Sequence, residues 1–219
     1  LIVGHQCRTA DRAATANDLS DALGGPVMTT YKAKGVISEA GPLNVGLFTN
    51  AKLDDTVLTE ADLVVFCGVD PVEMIPGKWT PKAPVIVLSE TAGLSWPFEA
   101  AVEIAGPVAV SAARLAAPVS TGTWDPARIA GLKAHLRETV ANAGDEGRFP
   151  DTEIDAVIAA APTGARLAID AGARMFSAMS RWPATAPHDV LKSNGLSTMG
   201  FAVPAALASW LEQPDRHAV

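Results

Sequence analysis

Only two cysteines occur in 219 residues, Cys7 and Cys67, each beside an apolar run. Two are too few for a disulfide framework, so small buried thiols and a cytoplasmic setting are expected. Basic charge is also in deficit: 17 lysines and arginines face 24 aspartates and glutamates, a formal net charge of −7. That balance leaves no basic footprint for nucleic acid and suits anionic membrane surfaces poorly. No apolar run approaches the roughly 20 residues that span a bilayer. The first residues carry no basic leader, so no secretory signal is expected. The four histidines, His5, His135, His188 and His217, lack metal-ligand spacing among themselves or with the cysteines. They are expected to be structural or solvent-facing.

What is present suits a packed interior, with 48% hydrophobic and 19% charged residues. Leu1–Val3 reads as a strand, Thr9–Leu23 as a helix closed by Gly24-Gly25, and Pro26–Thr30 as a second strand. That succession predicts the parallel crossover of α/β folds. Asp62–Cys67 and Pro84–Leu88 are continuous apolar runs of the kind buried on both faces. Ala101–Ile104 is a further strand candidate, and Tyr31–Asp55 reads as loop plus a short helix. Periodicity vanishes at Ala117–Asp125, which predicts a domain boundary. Beyond it, helices are expected over Asp125–Val140, Asp151–Ala160, Gly172–Trp182 and Phe201–Leu211. Strands are expected at Ala165–Ile169, Asp189–Leu191 and Arg216–Val219, and a loop over Asn142–Pro150. The fold class is therefore α/β, with two parallel-sheet units. The chain opens on one apolar strand and closes at the start of another, so a piece of a longer protein is expected.

Parallel sheets bind ligands at the carboxyl ends of their strands, and four loops occupy such places. Gly4–Arg8 has one glycine where a dinucleotide fingerprint needs three, so a plain tight turn is expected. In Cys67–Glu73, Asp70 reads as the cap of a short helix opened by Pro71, rather than as a working carboxylate paired with Glu73. In Ile169–Arg174, a glycine opens a helix whose N–H groups, with Arg174, suit a phosphate; a glycine turn capped by Asp170 accounts for it equally. The fourth loop precedes Phe201–Leu211. Its Asn194-Gly195 turn and Ser197 or Thr198 cap are ordinary punctuation, but they do not account for Met199 among small residues.

Residues 194–206, NGLSTMGFAVPAA, resemble the signature of thiamine diphosphate-dependent enzymes, closest to the acetolactate synthase-like branch with its G-G-L-G-T-M-G-F-G-L-P-A-A. Upstream, Asp170–Phe176 is similar to that family's D-V-G-x-H-x-x-W, and Pro26–Ile37, Gly46–Phe48 and Ala61–Asp70 resemble its central domain. The resemblance implies a central domain over 1–116, a linker and first helix over 117–150, and the start of a diphosphate-binding domain over 151–219. It implies thiamine diphosphate and Mg²⁺ as cofactors and a 2-oxo acid as substrate, decarboxylated or carboligated. Met199 would wedge the two coenzyme rings into their bent shape, an unbranched polarizable side chain suiting that place. The Ser197 carbonyl would accept from the pyrimidine amine, with Leu196 alongside. Ala171, Gly172, Ala173 and Arg174 would face the diphosphate. The family's glutamate and magnesium ligands would lie outside these residues, so no catalytic residue is expected here and the fragment alone should be inactive. The branch's active site between subunits implies a homodimer or tetramer. Ser197 stands where the family often has glycine, and Arg174 where it often has histidine. Phe48–Lys52 replaces the loop of flavin-binding members, so FAD is not expected. The rival expectations are a nucleotide- or flavin-binding module and a non-catalytic scaffold.

Overall fold

Short apolar runs bounded by turn residues pair here as parallel strands. The computed structural model describes residues 1–119, 122–142 and 151–219; the loop expected around 143–150 lies outside them. In chain order the first unit comprises β1 (Ile2–Val3), α1 (Ala10–Leu23), β2 (Val27–Thr29), β3 (Asn44–Leu47), α2 (Asp55–Leu58), β4 (Val64–Cys67), β5 (Val85–Ser89), β6 (Val102–Ala105) and α3 (Val108–Ala116). The six strands form one parallel sheet in the order β3-β2-β1-β4-β5-β6. The chain reverses its direction of travel across the sheet between β1 and β4, and ligand crevices open at such points.

Helix α1 ends at Gly24, whose φ of 60° lets its N–H close back on the Ser20 carbonyl. Its buried Ala13, Ala16 and Leu19 join Val108 and Ala112 of α3 on one face of the sheet. The opposite face is covered by Val57 and Leu58 and by Ile129, Leu132 and Leu136 of α4 (Pro126–Asn142). The helix after the expected boundary thus contributes to the core of the first unit. Phe66 anchors that face, with Trp79, Trp96 and Phe98 centred 5.2–5.8 Å from its ring. Trp79 also packs against Phe98, their ring centres 4.8 Å apart, so these side chains form an aromatic cluster.

Two elements correct the sequence reading. Strand β3 lies inside the segment read as loop plus helix, and α3 occupies residues assigned no element. Strand β3 is only four residues long and contains Asn44 and Gly46, so it lacks an apolar signature. Its Asn44 side chain is held by the Ile37 carbonyl, at 2.8 Å, which secures a polar group in a buried position.

The second unit comprises α5 (Asp151–Ala160), β7 (Leu167–Ile169), α6 (Ala173–Arg181), β8 (Val190–Lys192) and α7 (Ala202–Glu212). Strands β7 and β8 pair in parallel, and the expected strand at 216–219 appears as a single parallel bridge between Arg166 and Ala218. Met175, Ala178 and Met179 of α6 pack with Leu167, Trp182 and Val190. The two units touch where Gly35 meets Ala186 and where the Glu39 and Ala184 backbones bond at 3.0 Å.

Candidate functional site

At the carboxyl end of β7 the chain turns through Asp170, Ala171 and Gly172 before α6 begins. Gly172 has φ 147° and ψ 179°, and the place of its missing Cβ is open space. The first N–H groups of a helix have no partner inside it. In this first turn the Met175 N–H is taken by the Gly172 carbonyl at 3.1 Å. Ala173 and Arg174 stand at the exposed start of α6. The Arg174 side chain is 75% exposed and 3.4 Å from Glu153, a pair in open solvent that holds it only weakly.

The carboxyl end of β8 leads to the second loop. Gly195, Ser197 and Gly200 all have positive φ, at 80°, 47° and 78°. Ser197 is the notable one, since the left-handed region is costly for a residue with a Cβ. Thr198 N–H donates to Ser193 Oγ at 3.3 Å, which tightens the turn. These constraints put Leu196 and Met199 outward, 90% and 82% exposed. The Met199 thioether therefore projects from the carboxyl edge rather than filling the core.

Asp170 joins the two loops. Its Oδ2 accepts from the Gly200 N–H at 2.9 Å and its Oδ1 from the Ala202 N–H at 2.7 Å. Those bonds, that to Ala202 foremost, hold its carboxyl below the usual range. The sequence reading offered Asp170 as the cap of the helix that follows it. It caps α7 instead, about 30 residues away, and no local spacing signals this.

A second cluster lies at the carboxyl edge of the larger sheet. Asp70 caps its turn as expected, accepting from Val72 N–H at 3.0 Å. Glu73 does more than complete that cap. Its buried carboxylate accepts from Thr30 Oγ1 at 2.6 Å, from the His5 N–H at 3.0 Å, and from the Asp70 N–H at 3.2 Å, and its Oε2 lies 2.9 Å from His5 Nδ1. The turns after β1, β2 and β4 are thereby tied together. Gly4 packs directly on Gly68 and Val69: a Cβ there would lie 2.2 Å from the Val69 Cα. That glycine lets the turn after β1 lie against the turn after β4. Cys7 and Cys67 are free and buried, their sulfurs 3.7 Å apart. The two edges meet where Val72 lies 3.7 Å from the Cβ position of Gly195.

A cavity of about 750 Å³ lies between β3, α4, α5 and α6, lined by Tyr31, Leu47, Asp54, Leu136, Phe176 and Arg181 among others. It includes none of residues 170–174 or 194–200, so the loops above rather than this cavity carry the candidate site. Among the described residues, no three His, Cys, Asp or Glu side chains are grouped as metal ligands. No described helix is long and apolar enough to cross a membrane.

Residues 1–115 match the family model for the central domain of thiamine pyrophosphate enzymes. Full-length relatives extend the likeness past that domain. The acetolactate synthase isozyme 1 large subunit of Escherichia coli (strain K12) is 26% identical over 212 residues, covering 93% of this chain and 37% of its own length. The acetolactate synthase large subunit of Parasynechococcus marenigrum (strain WH8102) is 29% identical over 207 residues, covering 89% and 33%. A Pseudomonas aeruginosa protein named "Probable 2-ketoarginine decarboxylase AruI" is 24% identical over 222 residues, covering 99% and 39%. The chain thus spans little more than a third of the relatives it matches.

Proposed function

The chain belongs to the family of thiamine pyrophosphate enzymes, and on that footing we propose that it forms part of a thiamine diphosphate- and Mg²⁺-dependent enzyme acting on 2-oxo acids. The reaction is decarboxylation, carboligation or both, the relatives' names covering an acetolactate synthase and a 2-ketoarginine decarboxylase. Residues 1–116 are its central domain, 117–150 a linker with the first helix, and 151–219 the beginning of the diphosphate-binding domain. The observation that carries this reading is Asp170, which brings the Gly172 turn and the Met199 loop to one edge.

The residues present fit the coenzyme. Open space at Gly172 admits an oxyanion close to the backbone, and the N-terminal end of α6 favours negative charge. Ala171, Gly172, Ala173 and Arg174 face the diphosphate. Met199 stands free to support the bent ring pair, Leu196 lies beside it, and the Ser197 carbonyl accepts from the pyrimidine amine. When bound, the coenzyme supplies a nucleophilic carbon and an electron sink that the side chains here do not. The chain's own residues bind, orient and shield. The glutamate and the magnesium ligands belong to other parts of the protein, and the 219 residues alone are inactive. FAD forms no part of this proposal, since Phe48–Lys52 replaces the loop of flavin-binding members. The protein works in the cytoplasm as a homodimer or tetramer. The apolar face of α7, with Val203, Leu207, Trp210 and Leu211 exposed, supports burial in such an assembly.

Titrating the full-length protein with thiamine diphosphate and Mg²⁺ tests the reading. Saturable binding is expected, and its absence would leave the scaffold alternative standing. Met199→Ala is expected to lower turnover roughly 10- to 100-fold through misplacement of the reacting rings. Its circular dichroism should not change, because the side chain is exposed; unaltered turnover would refute the wedge.

A further inference from the structure

The net charge of −7 conceals a local excess of cations where the two carboxyl edges meet. Arg8 follows the turn after β1, Lys32 lies in the turn after the adjacent β2, and Lys192 closes β8. Arg8 Nη2 lies 2.7 Å from His188 Nδ1, so its guanidinium crosses to the second unit. Its Nε is buried without an acceptor among the described residues. Lys192 Nζ comes back the other way, 5.1 Å from the ring centre of Tyr31, the neighbour of Lys32. It donates to Asn194 Oδ1 at 2.6 Å and to the Ser193 carbonyl at 3.2 Å, both in the loop that leads to Met199. Lys32 has no ion-pair partner among the described residues.

The nearby Glu73 carboxylate offsets the charges of Arg8 and Lys32 only in part, acting against burial, which still leaves both below their usual values. Glu73 is already occupied by Thr30, His5 and Asp70. The neighbouring Arg12 has its own partner, Glu90, at 3.3 Å. The cations also oppose one another. Burial and then Arg8 push the Lys32 ammonium below its usual value, and burial and then Lys32 do the same to Lys192. Three like charges brought together from three strands, one with an orphaned buried donor, are costly unless an anion completes them.

We propose that Arg8, Lys32 and Lys192 form a binding site for a small oxyanion of two or more charges, a phosphate ester or a dicarboxylate, at the junction of the two sheets. The guanidinium fork supplies paired donors and the two ammonium groups supply point charges, a combination suited to either oxyanion. The site uses residues other than those of the Gly172 turn, and it stands whether or not that turn holds the coenzyme diphosphate. Because Lys192 is bonded to the loop that carries Met199, an occupant would also stiffen that loop.

Calorimetric titration of the full-length protein with inorganic pyrophosphate, and separately with succinate, tests the proposal. Saturable binding of at least one probe is expected, weakening as salt is raised. It should fall roughly tenfold or more in Lys32→Gln and recover in Lys32→Arg. Lys32→Gln removes no side-chain bond among the described residues, so its fold should be retained, as circular dichroism would verify. Pyrophosphate alone binding identifies a phosphate ligand, and succinate alone a carboxylate; either supports the site. No saturation by either probe overturns it. So does binding that Arg174→Gln abolishes and Lys32→Gln leaves intact, which would locate the anion at the Gly172 turn. Thiamine diphosphate titration of the same variants reports on the coenzyme reading independently.

Discussion

Ser197 holds φ at +47° between two glycines that also have positive φ. A side chain in the left-handed region costs about 1–2 kcal/mol, while glycine there would lose about 0.5–1 kcal/mol more backbone freedom on folding. Ser197→Gly is therefore expected to stabilise the chain by up to about 1.5 kcal/mol, read from the denaturant midpoint. A lower midpoint would mean that the hydroxymethyl group contributes contacts worth more than the strain. The similarity to G-G-L-G-T-M-G was legible in the residues themselves. The reason glycine suits that place became visible only with the backbone angles. Arg174 shows the converse: its charge was legible, yet its side chain lies in solvent near Glu153.

At the scale of elements, the start of α7 depends on a carboxylate supplied from the end of β7. The Asp170 carboxyl is held below its usual value by the amides of Ala202 and Gly200. A depressed folded-state value means that this tie is complete at neutral pH. It is lost as pH falls through that value, below the ordinary carboxylate range. The Gly200 and Ala202 amide proton resonances are expected to shift together in that acid window, and Asp170→Asn should abolish the shared titration. If the two amides keep their shifts to low pH, the capping role is wrong. Elements with unbroken apolar runs, such as β4 and β5, could be anticipated because burial on both faces demands such sequence. Strand β3 could not, since an edge position asks little of its four residues. For α3, Val108–Ala116 directly follows the strand candidate Ala101–Ile104, and its mixture of alanine and β-branched residues signals neither state strongly.

For the molecule as a whole, the junction between units rests on close backbone approach. Gly35 has φ 89°, and a Cβ on it would lie 2.1 Å from the Ala186 carbonyl oxygen. The nearby Glu39 carboxylate accepts from the Ala184 N–H at 3.0 Å and pairs with the buried Lys34. Gly35→Ala is expected to cost about 1–3 kcal/mol through strain and displacement of the second unit. Denaturant unfolding would register this as a lower midpoint; an unchanged midpoint would refute the close approach. The same junction assembles Arg8, Lys32 and Lys192 from positions up to 184 residues apart in the numbering of the chain. No window of sequence contains such a cluster, which is why the anion site was not anticipated.

Sequence alone determined the α/β class, the parallel crossovers and the family resemblance carried by the loops around Asp170 and Met199. Each rests on short-range chemistry: apolar runs long enough for a buried strand, glycines where the chain must turn, and a contiguous signature around Met199. Tertiary structure decided what crosses between those segments. It turned Asp170 toward a distant helix, gave Glu73 three turns to hold, brought α4 onto the first sheet and gathered three cations at one edge. Hydrogen bonds and charges act through space over a few ångströms, so the order of residues along the chain does not reveal which of them will meet.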